Sequence, residues 1–329
     1  MKLEIKNSKV KNLRVADNEI LNKTIKILMK YNTVIIFLFL VIASSIFSDV
    51  FLTEKNIFNL LRQVAGLSII SLGMLLVILT GGIDLSVGSY VALASVTSAY
   101  FLKVYSYSLF VSVILTILIA AVLGSVSGYL VARRNIAPFV GTLALMTIVK
   151  GIAFIISKGA PIMTENKILE EFGAGYFLRI PYPVWLSIII LVIISFILKF
   201  TVYGRLITAI GSNVTAVRLS GIKVSIYKFS VYVISAALSA IAGVYSTSRT
   251  GVGSPLVGEG FELDAIAAVV IGGARLNGGK GIAINTFIGI LILGLIGNIM
   301  NLMHVPSYPQ QVIKGIIIIA AVLFQKNKD

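Results

Sequence analysis

The stretch YGRLITAIGSNVTAVRLSGIKVS, residues 203–225, is polar and basic and lies between two long apolar runs, residues 183–199 and 226–247. Apolar runs of this length are typical of helices that cross the ~30 Å hydrocarbon core of a bilayer. The stretch is therefore predicted to be an extramembrane connection between two membrane helices, which we call the coupling segment.

A short helix is predicted inside the coupling segment. Asn213 or Ser212 can cap its first turn, because a side-chain oxygen can accept the free backbone N–H groups there. Gly221 can end it in the left-handed conformation. Ile210, Val214 and Val217 lie at helical spacing on one predicted face, whereas Thr215 and Arg218 lie elsewhere. A helix this short is not stable alone in water, so we expect it to dock on something.

Composition indicates an all-α polytopic membrane protein. Hydrophobic residues make up 57% of the chain, charged residues only 12%, and the mean hydropathy is +0.99, whereas soluble domains are about 25% charged. The absence of Cys excludes disulfides and thiol nucleophiles, and no metal site is predicted around His304, the single histidine. About ten spans are predicted: 31–48, 64–80, 87–102, 108–131, 138–157, 183–199, 226–247, 261–273, 282–300 and 309–324.

Basic residues predict the orientation and the domain limits. With the N-terminus placed in the cytoplasm, segments on that side carry 19 Lys and Arg residues and those on the outer side carry 7, as the positive-inside rule requires. The sequence thus predicts a cytoplasmic N-terminal segment 1–30, a membrane domain 31–324 that includes the coupling segment, and a cytoplasmic tail 325–329. Both termini are expected in the cytoplasm.

Two glycine-rich interruptions indicate an inverted repeat. Gly81 precedes Pro138 by 57 residues, and Gly251 precedes Pro306 by 55. On the ten-span map the first pair lies inside and the second outside, as expected if broken helices of opposite orientation face a shared pathway. The short span 261–273 carries Glu262 and Asp264, so it is predicted to be a half-helix or a re-entrant segment.

The first interruption, GGIDLSVGS at residues 81–89, could carry chemistry. Its glycines, Gly81, Gly82 and Gly88, permit a break in the helix and close approach of neighbouring backbones. Asp84 or Ser86 can satisfy N–H groups at the start of the next helix. A carboxylate at this depth could also line or gate a pathway. Both interpretations are open at this stage, and these five residues are the candidate pathway site.

Residues 269–281, VVIGGARLNGGKG, superficially resemble a phosphate-binding loop. That motif needs Gly five residues before the Gly-Lys pair and Ser or Thr after the lysine, and the corresponding residues here are Ala274 and Gly281. We therefore predict a tight turn between two helices. Lys150 and Lys314 lie inside spans, where they can snorkel, pair within the bundle or line a pathway.

Four stretches together resemble the permease subunit of ribose/xylose/galactoside-type ABC sugar importers: residues 81–89, 135–162, 203–222 and 269–303. The resemblance covers about 37–324 and implies a bacterial multi-pass membrane protein without cofactors. It further implies a second permease copy, an ATPase subunit that binds ATP and Mg²⁺, an extracytoplasmic sugar-binding protein, and surrounding membrane lipid but no nucleic acid. By resemblance, the helix of the coupling segment docks in a groove of the ATPase, and its site residues are Gly211, Ser212, Asn213, Thr215, Ala216, Arg218, Ser220 and Gly221. The family's acidic position near Thr215 is not acidic here.

The function implied is import of a ribose-like monosaccharide by alternating access, driven by the separate ATPase, so the chain itself is not expected to be an enzyme. A permease for nucleosides or branched-chain amino acids would share the architecture. An ion-coupled secondary transporter would be expected to have paired ionisable groups within its spans, and few such candidates exist. The outer segment 158–182, with Glu165, Glu170 and Glu171, is a candidate docking surface for an external partner.

Overall fold

The computed structural model of the protein describes residues 32–326. Within that range it contains thirteen α-helices and four two-residue strands, so the all-α prediction is confirmed. The helices are α1 (Asn32–Phe47), α2 (Glu54–Leu79), α3 (Val87–Lys103), α4 (Leu109–Ala132), α5 (Pro138–Ser157), α6 (Lys167–Ala174), α7 (Tyr182–Phe200), α8 (Val202–Ser212), α9 (Val214–Leu219), α10 (Val224–Thr250), α11 (Phe261–Ile271), α12 (Ala283–Leu302) and α13 (Ser307–Lys326). The strands are β1 (Ile162–Met163), β2 (Tyr176–Phe177), β3 (Ile180–Pro181) and β4 (Val252–Gly253).

Each of the ten predicted spans coincides with one of these helices. Six helices are long and apolar enough to cross a membrane, namely α2, α4, α5, α7, α10 and α12, and the chain is a polytopic membrane protein. Helix α11 has only 11 residues, in agreement with the expected half-helix. The predicted N-terminal segment 1–30 lies outside the described residues, and α13 continues two residues into the predicted tail.

The start of α2 was predicted wrongly. Residue 64 was expected to begin the span, but the helix begins ten residues earlier, at Glu54. The Thr53 hydroxyl accepts the backbone N–H of Asn56 at 3.4 Å and so caps the first turn. Asn56 is itself buried, where its side-chain amide exchanges hydrogen bonds of 3.0 and 2.9 Å with that of Asn298 on α12. A polar first turn can therefore lie inside the bundle.

Helices α2 and α10 form the centre of the bundle. The second half of α2, from Ile69 to Leu79, is buried throughout, and α10 packs against α2, α3 and α4. Helices α4 and α7 lie at the periphery and expose large apolar side chains such as Phe110 and Ile193. Apolar side chains that would be unfavourable in water suit a surface that faces lipid hydrocarbon.

The central helices run antiparallel to each other. Tyr245, near the end of α10, donates a hydrogen bond to the carbonyl of Arg62, near the start of α2, at 2.6 Å. Ser235, in the first half of α10, donates to Asp84, just beyond the end of α2, at 3.0 Å.

The elements after each central helix also correspond. Both α2 and α10 are followed by a left-handed glycine, Gly81 or Gly251, then by a short helix, a long helix, and a helix that begins at Pro138 or directly after Pro306. Asn135 and His304, which precede those two prolines, both adopt positive φ, at 56° and 57°. The same order of elements around two antiparallel helices is an inverted repeat.

The predicted outer segment 158–182 is attached to the end of α10. β1 pairs with β4 in an antiparallel register, with Ile162 opposite Gly253 and Met163 opposite Val252. β2 and β3 form a small hairpin of their own. The segment therefore covers the connection between α10 and α11, residues 251–260, which we call the second break. Residues 80–86, between α2 and α3, are the first break.

Candidate functional site

The coupling segment folds into two consecutive helices, α8 and α9, separated by Asn213. Asn213 is extended, with φ −158° and ψ 94°, and its side-chain oxygen accepts the N–H of Ala216 at 2.9 Å. Gly221 follows α9 with φ +80°. Asn213 therefore caps the start of the short helix and Gly221 follows its end, as the sequence predicted.

The single predicted face of this helix needs correction. Ile210 lies on α8, not on α9, because the extended backbone of Asn213 interrupts the helix between Ile210 and Val214. The three residues nevertheless meet, since Ile210 and Val217 share a small buried cluster with Val224, and Val214 packs against it. The turn at Asn213 folds two helices onto one apolar cluster.

The opposite side of α9 is open. Thr215, Ala216, Arg218 and Ser220 are exposed, and so is Leu219, whose side chain is 83% exposed. An apolar side chain beside a cation and two hydroxyls, on a helix stiffened by a cap, provides a small surface suited to a protein partner. Sequence reasoning did not select Leu219.

The base of the coupling segment contacts two other parts of the chain through glycines. A Cβ at Gly211 would collide with the carbonyl oxygen of Leu79 and the amide nitrogen of Gly279. Gly279 donates its N–H to Leu79 O at 3.0 Å, and Gly278 lies against both Gly81 and Gly211. The end of α2, the end of α8 and the turn between α11 and α12 therefore meet at what we call the glycine junction.

The turn that resembles a phosphate loop is the third side of this junction. The Arg275 N–H donates to Lys280 O, and the Gly278 N–H donates to Arg275 O, each at 2.9 Å. Gly278 and Gly279 have φ of +92° and +75°. The predicted tight turn between two helices is confirmed, and its backbone amides are used in the turn and in the contact with Leu79.

Asp84 occupies a fully buried position in the first break, with 0% exposure. Its carboxylate accepts the Ser86 hydroxyl, the Ser86 N–H at 3.0 Å and the Ser235 hydroxyl at 3.0 Å. Ser86 is the N-cap residue of α3, but its side chain makes no capping bond. Asp84 therefore satisfies an N–H group just before the helix, as predicted, and also ties the break to α10.

Glycines in the first break and at the start of α3 permit close packing. A Cβ at Gly82 would collide with the Tyr232 hydroxyl of α10, which has no hydrogen-bond partner within the described part of the chain. A Cβ at Gly88 would collide with Gly258 O and lie 2.6 Å from Glu262 Oε2. The start of α3 thus touches the second break directly.

Charged side chains within the spans pair with acidic residues around α11. Lys150 Nζ on α5 lies 3.6 Å from Glu259 Oε2, and Lys314 Nζ on α13 lies 2.8 Å from Asp264 Oδ2. Pairing was one of the alternatives predicted for both lysines. The role of Glu259 was missed, because it occurs in a loop with no recognisable motif.

A family model described as the permease component of branched-chain amino acid transport systems matches residues 56–322. The chain belongs to this permease family. The permease is 40% identical over 302 residues to the ribose import permease protein RbsC of Haemophilus influenzae, covering 91% of this chain and 93% of the relative. It is 44% identical to RbsC of Bacillus subtilis over 292 residues, covering 88% and 90%. No solved structure is significantly similar to it.

A second group of relatives is also named as permeases. The L-arabinose transport system permease protein AraH of Escherichia coli is 37% identical over 300 residues, which is 91% of each chain. The resemblance stated from the four motif stretches is therefore confirmed. This family implies an ATPase partner and a binding-protein partner, and with its six long apolar helices the permease is a multi-pass protein of the inner membrane.

Proposed function

We propose that the permease imports a ribose-like monosaccharide delivered by an extracytoplasmic binding protein. The observation that carries this proposal is the identity of 40–44% to ribose import permeases over about nine-tenths of the chain. The arabinose-named relatives, at 36–37% identity, support the same chemical class. The alternative is a branched-chain amino acid, which the description of the family model favours, and the nucleoside alternative has the same architecture.

Energy for transport would come from a separate ATPase that binds ATP and Mg²⁺, so this chain would have no ATPase activity and no cofactor. The exposed side of α9 is the candidate surface for that subunit. Because Asn213 caps α9 and α9 packs on the Ile210 cluster, the helix can move as a rigid lever. Motion of the lever reaches the membrane core at the glycine junction, where Gly211 lies directly against Leu79 O.

The remaining assembly follows from the same proposal. Two copies of the permease would form a homodimer within the lipid, with both termini in the cytoplasm. The outer segment 158–182, with Glu165, Glu170 and Glu171 exposed, would face the binding protein. Closure of the ATPases would then rock the two copies against each other as rigid bodies and alternate the accessible side of the pathway.

Uptake by a reconstituted complex tests the proposal. The permease, its ATPase and its binding protein are placed in proteoliposomes, and ATP-dependent entry of radiolabelled ribose, arabinose, leucine and adenosine is compared. We expect entry of a pentose only, and hydrolysis of ATP only when the ATPase is present. Entry of leucine or adenosine in place of the pentoses would contradict the proposed substrate class, and uptake driven by an ion gradient without ATP would contradict the transport class.

A further inference from the structure

A cavity lies between the start of α3 and the second break. It is bounded by the start of α3, by α5 and by the second break, and its volume is about 110 Å³, smaller than that of a site that encloses a whole small molecule. Its lining combines apolar side chains, including Met146 and Pro255, with Ser89, Lys150, Glu259 and Glu262. These polar groups take no part in the contacts described above for α9 or for the first break.

The position of Lys150 requires an explanation. It lies within α5, one of the helices apolar enough to cross the membrane, where a cation costs about 2.5–3.5 kcal/mol on insertion scales. A purely structural ion pair would be expected to be close and shielded, as Lys314 and Asp264 are at 2.8 Å with the carboxylate 17% exposed. Lys150 and Glu259 are instead 3.6 Å apart, and Glu259 is 71% exposed. This pair is loose and leaves its donors and acceptors accessible.

The charges indicate which chemistry the cavity suits. The Lys150 ammonium is already compensated by Glu259, and Glu262 adds a second carboxylate. Because this second carboxyl group is either neutral or negative, an anion, including the carboxylate of an amino acid, would meet no net positive charge. A neutral polyhydroxy compound brings no charge, its adjacent hydroxyls can donate to a carboxylate and accept from an ammonium, and its C–H face can pack on Met146 and Pro255.

We propose that this cavity is a weak binding station for a neutral monosaccharide on its way through the permease, with Lys150, Glu259 and Glu262 as the polar contacts. The inference rests on the proposed function, whose substrate class it places at particular residues. A station between the start of α3, which belongs to one repeat, and the second break, which belongs to the other, would change shape whenever the two repeats move relative to each other. The sugar would then be released as the pathway changes its accessible side.

The absence of Cys from the chain permits a direct test in the whole complex. Met146→Cys places one thiol at the cavity, and the matched control Thr250→Cys places one at the exposed end of α10. The rate of maleimide labelling is measured with and without ribose. At ribose about ten times its Kd, roughly a tenth of sites remain free, so labelling of Met146→Cys should slow about tenfold. Labelling of the control should not change.

A second variant separates binding from structure. Glu262→Gln keeps the shape of the side chain but removes the charge, and we expect it to abolish protection by ribose and to raise the KM for uptake, with ATPase assembly unchanged. Unprotected labelling in a complex that still takes up ribose would overturn the station while leaving the proposed function intact. Protection by leucine and not by ribose would overturn the assignment to sugars. A complex that takes up neither ribose nor arabinose would refute the proposed function itself, and the station with it.

Discussion

The two breaks have equivalent places in the inverted repeat but opposite surroundings. The first is sealed: Asp84 is fully buried and held by Ser86 and Ser235, and Gly82 is pressed against Tyr232. The second is more open at its ends: Gly251 and Gly260 have free space around them and Glu259 is mostly exposed, although Gly253 and Gly258 between them pack closely against α3. The sealed break touches the glycine junction, whereas the open break borders the cavity. One repeat is thus suited to transmit force and the other to admit a ligand.

The largest expected difference between the breaks is in tolerance of a side chain. Gly82→Leu should reduce sugar uptake more than about tenfold at equal expression, since overpacking a dense core costs about 1–3 kcal/mol or more. The control Gly260→Ala, at the open break, meets no neighbouring atom and should lose less uptake than Gly82→Leu, although the positive φ of this position strains any residue with a side chain.

The cause of the collision at Gly82 can be tested as well. The nearest atom to an added Cβ is the Tyr232 hydroxyl, so Gly82→Ala combined with Tyr232→Phe should transport better than Gly82→Ala alone. Equal uptake by Gly82→Leu and the wild type would mean that the first break is not sealed.

Removing a carboxylate should affect stability at one break only. Asp84→Ala leaves the Ser86 and Ser235 donors without their acceptor, and buried unsatisfied groups cost about 1–3 kcal/mol each. Glu259→Gln loses a loose, exposed pair worth about 0–1 kcal/mol. Thermal unfolding in detergent should show a clear loss for the first variant and almost none for the second, and similar curves for both would remove the distinction between the breaks.

If force passes through the sealed break and the glycine junction, a substitution at the junction should uncouple sugar stimulation from ATP hydrolysis. Gly211→Ala should push α8 away from Leu79 and Gly279 and lower sugar-stimulated ATP hydrolysis about tenfold, which corresponds to about 1.4 kcal/mol, while the ATPase still co-purifies. Gly297→Ala is the control, because nothing lies within 4 Å of the added Cβ. Normal stimulation in Gly211→Ala would show that coupling does not pass through the glycine junction.

The smallest effect is expected on the exposed side of α9. Ala216→Arg should add a bulky cation to the docking surface and weaken co-purification of the ATPase several-fold, whereas Thr215→Ala, also exposed, should change little. Gly221→Val should also weaken docking, because a β-branched residue resists positive φ. If Ala216→Arg and Gly221→Val both associate normally, the ATPase docks elsewhere, and the next surfaces to test are Arg133–Arg134 and Arg275–Lys280.

Local patterns were sufficient for the main helices and for some of their ends, but not for the start of α2, which lies ten residues before the predicted one. The apolar runs predict all ten main helices, and Asn213 and Gly221 predict the limits of α9. Contacts between distant segments were not predictable in this way. The contact of Gly211 with Leu79 and that of Gly82 with Tyr232 depend on how helices far apart in the chain pack. The periodicity of the sequence contains no information about such contacts. Glu259 was missed because it lies in a loop with no recognisable motif and because its partner Lys150 is more than a hundred residues away.

The exposed Leu219 on α9 has a consequence for how the cell handles the subunit. Leu219, which is 83% exposed, would be covered if the ATPase docks on α9, and a partner that binds only the folded subunit stabilises it against the opening on which proteases act. We therefore expect the permease to be short-lived when synthesised without its ATPase, so that the supply of one subunit limits the abundance of the other. A pulse-chase measurement in cells that lack the ATPase would test this.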